Sequence, residues 1–110
     1  METTTEKTRR EEIRKVCRKA VGLNYRIEVR DDAVFIVKDI EVEKTEIILI
    51  ADFRLNNKTG KYSLTFYKGG RNSYSLNPSQ IQTIERKLAV IKEDIEKSGL
   101  LAKLNKKFCY

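Results

Sequence analysis

The sequence predicts a single α+β domain: an N-terminal helix, a four-stranded antiparallel meander, a long C-terminal helix and a short tail helix. Three observations carry that prediction. Apolar residues recur at helical spacing before residue 22 and after residue 78, they alternate with a period of two in between, and Gly, Asn and Asp punctuate the middle at hairpin distances. A length of 110 residues holds one core rather than two, so residues 1–110 are read as one domain.

Taken in order, residues 1–7 are polar and expected to fray. Thr8 and Glu11 have the spacing of a capping box, which starts a helix by satisfying free backbone donors reciprocally. Ile13, Val16, Cys17, Ala20 and Val21 give that helix one buried stripe, and Gly22 is placed to end it. Arg9, Arg10, Arg14, Lys15, Arg18 and Lys19 make its other sides basic, as a solvated face or as phosphate contacts. From Asn24 the period becomes two, with Tyr25, Ile27 and Val29 alternating against Arg26, Glu28 and Arg30. Asp31 and Asp32 turn the chain into Ala33–Val42, whose centre is apolar on both faces. A turn near Glu43 and Lys44 leads to Glu46–Leu55, where the two-sided apolarity of Ile47–Ala51 predicts a central strand covered on both faces.

Asn56–Gly60 reads as a hairpin loop, because Asn and Gly accept the positive φ angles of such turns. Lys61–Lys68 then alternates, sending Tyr62, Leu64 and Phe66 to the core and Lys61, Ser63, Thr65 and Tyr67 outward. Gly69 and Gly70 predict a further turn. The return over Arg71–Leu76 would set Tyr74 and Leu76 inward, with Arg71, Ser73 and Ser75 outward. Asn77 before Pro78 is a strong helix start. Ile81, Ile84, Leu88, Ile91 and Ile95 follow at steps of three and four, a narrow seam. It serves packing on the sheet or, through its heptad regularity, a homodimer built on Ile84, Leu88, Ile91 and Ile95. Ser98 and Gly99 break the seam, and Leu100, Leu101, Leu104 and Phe108 make an amphipathic tail helix.

The net charge is +7, unevenly spread: residues 22–54 carry five cations against eight acids, whereas residues 55–77 carry four cations and no acid. A segregated basic surface attracts phosphate backbones through counterion release. The competing explanation is the solvated Lys-rich surface of a thermophile protein, since Lys, Glu and Ile abound while His and Trp are absent. No apolar stretch approaches the roughly 20 residues of a membrane helix, and residues 1–12 lack the apolar core of a secretory signal, so a cytoplasmic protein is expected. Two distant cysteines, Cys17 and Cys109, without a histidine, exclude the usual zinc sites; no cofactor and no metal is expected. There is no phosphate-binding glycine loop and no nucleophile elbow. Acids at Asp31, Asp32, Asp39, Glu41, Glu43 and Glu46 raise the question of a two-metal nuclease. Within the strand region, however, none is followed two residues later by Lys, the spacing that would set the pair side by side. Catalysis and a small-molecule substrate are therefore not expected.

One stretch bears a family likeness. Lys68–Gln80 (KGGRNSYSLNPSQ) resembles the strand-to-helix junction of positive-cofactor-four-like single-stranded DNA-binding proteins, and the element order resembles archaeal ThermoDBP-type proteins. The resemblance implies a dimer that holds single-stranded DNA on a basic, aromatic-containing sheet surface. It places Lys68, Arg71 and Ser75 on the strand and gives the dimer seam to the helix from Pro78. The residues themselves point the same way. Lys58, Lys61, Lys68 and Arg71 would neutralise phosphates, Tyr67 would stack, and Ser63, Thr65, Ser73 and Ser75 would bond the backbone. The expected function is non-catalytic, sequence-tolerant binding of single-stranded nucleic acid, with DNA favoured. The alternative is a small protein-interaction module, such as a viral or mobile-element inhibitor, that turns the same basic face to an acidic partner protein.

Overall fold

The computed structural model describes residues 4–42, 45–71 and 76–109. Its elements are helix α1 (Thr4–Val21), strands β1 (Arg26–Val29), β2 (Ala33–Val42), β3 (Thr45–Asn56) and β4 (Lys61–Arg71), and helices α2 (Pro78–Lys97) and α3 (Leu100–Phe108). The strands lie in chain order, β1-β2-β3-β4, each antiparallel to the next. The architecture is the α+β meander that the periodicity predicts.

Strand alternation sorts the side chains. Val34, Ile36 and Ile40 of β2, Ile47, Leu49, Ala51 and Phe53 of β3, and Tyr62 of β4 share one sheet face. Ile13 and Cys17 of α1, Ile84, Leu88 and Ile95 of α2, and Leu100 and Leu104 of α3 bury against that face, in two clusters. The buried residues of all three helices therefore lie on one side of the sheet.

Local chemistry sets the ends of the elements. Gly22 takes φ 79° and its N–H donates to the Arg18 carbonyl at 2.9 Å, closing α1. Asn77 and Gln80 form a reciprocal capping box: the Gln80 N–H donates to Asn77 Oδ1 at 2.9 Å and the Asn77 N–H to Gln80 Oε1 at 3.0 Å. Gly99, at φ 72°, turns the chain from α2 into α3.

Three expectations are corrected. Helix α1 begins at Thr4, so Thr8 lies inside it; a cap residue must stand outside the helical dihedrals, and the Thr8–Glu11 box does not form. No turn forms at Gly69 and Gly70, because β3 is long enough to pair with β4 through Ile48↔Gly69, Ile47↔Gly70 and Glu46↔Arg71. Finally, β3 is not covered on both faces. Among the described residues no helix lies over the second face, where Ile48 and Ile50 remain half-buried.

Candidate functional site

The uncovered sheet face is built by register. Antiparallel pairing lines up Ala33, Arg54 and Ser63 in one cross-strand row, then Glu28, Phe35, Asp52 and Thr65, then Arg26, Val37, Ile50 and Tyr67, then Asp39, Ile48 and Gly69. The middle of the face is thus apolar, with Val37 only 8% exposed although no helix among the described residues covers it. Polar and charged residues stand around this strip.

Of the residues expected to contact a strand, the structure gathers Lys61, Ser63, Thr65 and Tyr67 on this face, all exposed, with Tyr67 at 53%. Arg71 occupies a β4 position of the same parity, and Lys58 sits at the tip of the adjoining hairpin. Lys68 has the opposite parity and lies on the side of α2, away from the other four. Ser73 and Ser75 lie outside the described residues, as does Tyr74. The residues named for a dimer seam are engaged within the chain: Ile84, Leu88 and Ile95 are buried and Ile91 packs half-buried beside them. Only Ile81, at the start of the seam, is exposed.

Four residues of this face escaped sequence reasoning. Phe35 is a second aromatic, half-buried, with the Arg30 guanidinium 6.0 Å from its ring centroid. Arg26, Arg30 and Arg54 add three guanidinium groups. The signal that finds them is the hairpin register: once the Asp31–Asp32 turn sets Val29 opposite Val34, the parity of β2 and β3 follows. Strand spacing and rise put Phe35 and Tyr67, two strands and one row apart, about 12 Å from each other, enough for two separate bases.

Charge on this face is graded. Arg26 Nη2 meets Asp39 Oδ1 at 3.0 Å, Arg30 Nη2 meets Glu28 Oε2 at 3.5 Å, and Arg54 Nη2 meets Asp52 Oδ2 at 3.3 Å. The Arg26–Asp39 and Arg30–Glu28 pairs are exposed, individually weak and open readily to a phosphate. Among the described residues Lys58 and Lys61 have no acidic partner, so the β4 side of this face is the more cationic. Asp52 is the exception to the exposed pattern. It is 4% exposed, its Oδ2 accepts from Arg54, and its Oδ1 has no partner among the described residues. An unsatisfied buried acceptor costs about 1–3 kcal/mol.

Under the covered face, burial pushes the Cys17 thiol from its ordinary 9.0 up to about 12. Burial also raises the Tyr62 phenol, with Arg9 pulling it partly back. Cys17 and Cys109 are both free thiols. Among the described residues no three acids or cysteines converge to hold a metal ion, and no helix is long and apolar enough to cross a membrane. No family model matches the sequence, and neither a curated protein nor a solved structure matches the chain.

Proposed function

We propose that the open sheet face binds single-stranded nucleic acid with little regard to sequence and without a chemical step, as a cytoplasmic protein. The observation that carries this reading is an uncovered four-stranded face whose apolar centre holds two aromatics, Phe35 and Tyr67, with Arg26, Arg54 and Lys61 around it. Flat apolar and aromatic surface accepts any base, because every base has a π-face, and cations follow the backbone. Tyr67 stacks a base. Phe35, with Arg30 at its ring, offers a second platform. Ser63 and Thr65 donate to phosphate or sugar oxygens between them. Lys61, Ser63 and Thr65 suit phosphate and sugar oxygens, which favours backbone-directed binding. The face is complete in one chain, so a second copy is not required for it to hold a strand; sedimentation at two concentrations reads whether one is present.

The test is a polarisation titration with labelled single-stranded DNA, single-stranded RNA and duplex DNA at several salt concentrations. Single strands should bind more tightly than duplex, and log K should fall with log salt by about 0.7 per contacted phosphate. Lys61→Glu should weaken binding to all sequences alike. Absence of binding at low salt, or an unchanged affinity for Lys61→Glu, overturns the reading.

A further inference from the structure

A second surface, which meets the open face at Tyr67, lies along the outer edge of β4. In an antiparallel strand, alternate residues turn their backbone N–H and C=O toward the neighbour and away from it. Tyr62 is turned away, and its outward groups are met by one side chain. The Tyr62 N–H donates to Asn105 Oδ1 at 2.7 Å, and Asn105 Nδ2 donates to the Tyr62 carbonyl at 3.2 Å. The amide of Asn105 reproduces what a residue of a fifth strand does. Leu64, Phe66 and Lys68 have the same parity as Tyr62. Among the described residues nothing pairs with their outward backbone groups. An unpaired edge of this kind is a template for another strand.

Beside this edge a groove of about 390 Å³ runs between β4 and α2. Phe66, Leu88 and Ala89 give it an apolar floor, while Lys68 and Lys92 stand against a single acid, Glu85. The Lys92 ammonium lies 5.7 Å from the Phe66 ring centroid. The charge selects the occupant. A second copy of β4 would set Lys61 against Arg71 if centred on Phe66, and Lys68 against itself if centred on Lys68. Like charges directly opposed are destabilising.

We propose that the β4 edge from Leu64 to Lys68 docks an extended acidic segment of a partner protein as a fifth strand. One of its apolar side chains enters the groove over Phe66 and Leu88, and its acids face Lys68 and Lys92. Backbone pairing supplies affinity in this mode and alternate side chains supply selectivity.

The probe is a short blocked peptide of alternating Glu and Val, added to the ¹⁵N-labelled 110-residue chain. The amides of Leu64, Phe66 and Lys68 should shift on titration. The same peptide with proline at alternate positions, which lacks donors for the edge, should bind at least tenfold more weakly. On the protein side, Lys68→Pro removes an outward N–H that makes no ladder bond, so the strand tolerates it. It should weaken binding beyond Lys68→Ala, which isolates the charge. Three results would each overturn the proposal: edge amides that stay in place at millimolar peptide, equal binding of the proline peptide, or equal effects of Lys68→Pro and Lys68→Ala. A single-stranded DNA that displaces the peptide and shifts the same three amides would assign the groove to nucleic acid instead.

Discussion

The two faces of the sheet are made of the same strands and similar residues, yet they have opposite fates. On one, Val34, Ile36, Leu49, Ala51 and Phe53 are sealed under three helices. On the other, Phe35, Val37, Ile48 and Ile50 form an apolar strip that no described helix covers, beside Tyr67 at 53% exposure and the half-satisfied Asp52. The first face carries stability. The second holds Val37 buried and leaves Phe35, Ile48 and Ile50 half-buried among charged residues, and it is the face on which the proposed binding rests.

Substitutions should separate the two faces by size of effect. Phe53→Ala, in the centre of the covered face, should cost about 3–5 kcal/mol in denaturant unfolding. Cys17, on the same side, supplies a pH test. Its folded-state value is raised, so the stability it contributes is complete below pH 9.0 and is lost as pH rises toward about 12. Unfolding free energies measured from pH 8 upward should therefore fall more steeply in the wild type than in Cys17→Ala, other titrating groups being common to both. Removing the edge mimic with Asn105→Ala leaves the Tyr62 N–H and C=O without partners and should cost about 1–3 kcal/mol. On the open face the sign reverses. Asp52→Leu removes a buried, partly unsatisfied carboxylate and should stabilise by about 1 kcal/mol, seen as a melting temperature higher by several degrees. Such a gain would show that Asp52 is kept for something other than folding.

Much of the fold was legible because periodicity reports it directly. The 3.6 spacing of Ile84, Leu88 and Ile95, the alternation of Tyr62, Leu64 and Phe66, and the Asn77–Pro78 start all correspond to what forms. Two-sided apolarity in β2 and β3 was legible as well, but its meaning was not. Apolar side chains look the same in sequence whether a helix covers them or not, and the number of covering stripes is fixed by how the helices pack. Gly69 and Gly70 misled for a related reason. Glycine permits a turn without demanding one, and pairing with Ile47 and Ile48 holds the strand straight. Of the candidate site, the outward set on β4 could be read from its alternation. Phe35, Arg26 and Arg54 could not, since only cross-strand register brings three different strands onto one surface. The contacts between Asn105 and Tyr62 span 43 positions, and no local pattern encodes them.

Tyr67 offers the most direct test of the division between the faces, because it is exposed and belongs to no core cluster. Tyr67→Ala should change unfolding free energy by no more than about 0.5 kcal/mol. In the same preparation it should weaken binding of single-stranded DNA by about 1–3 kcal/mol, the contribution of one stacked base. Intact stability with roughly 5- to 150-fold weaker binding is the predicted outcome. Unaltered affinity in the variant, or a wild-type protein that ignores single strands at low salt, would contradict the account.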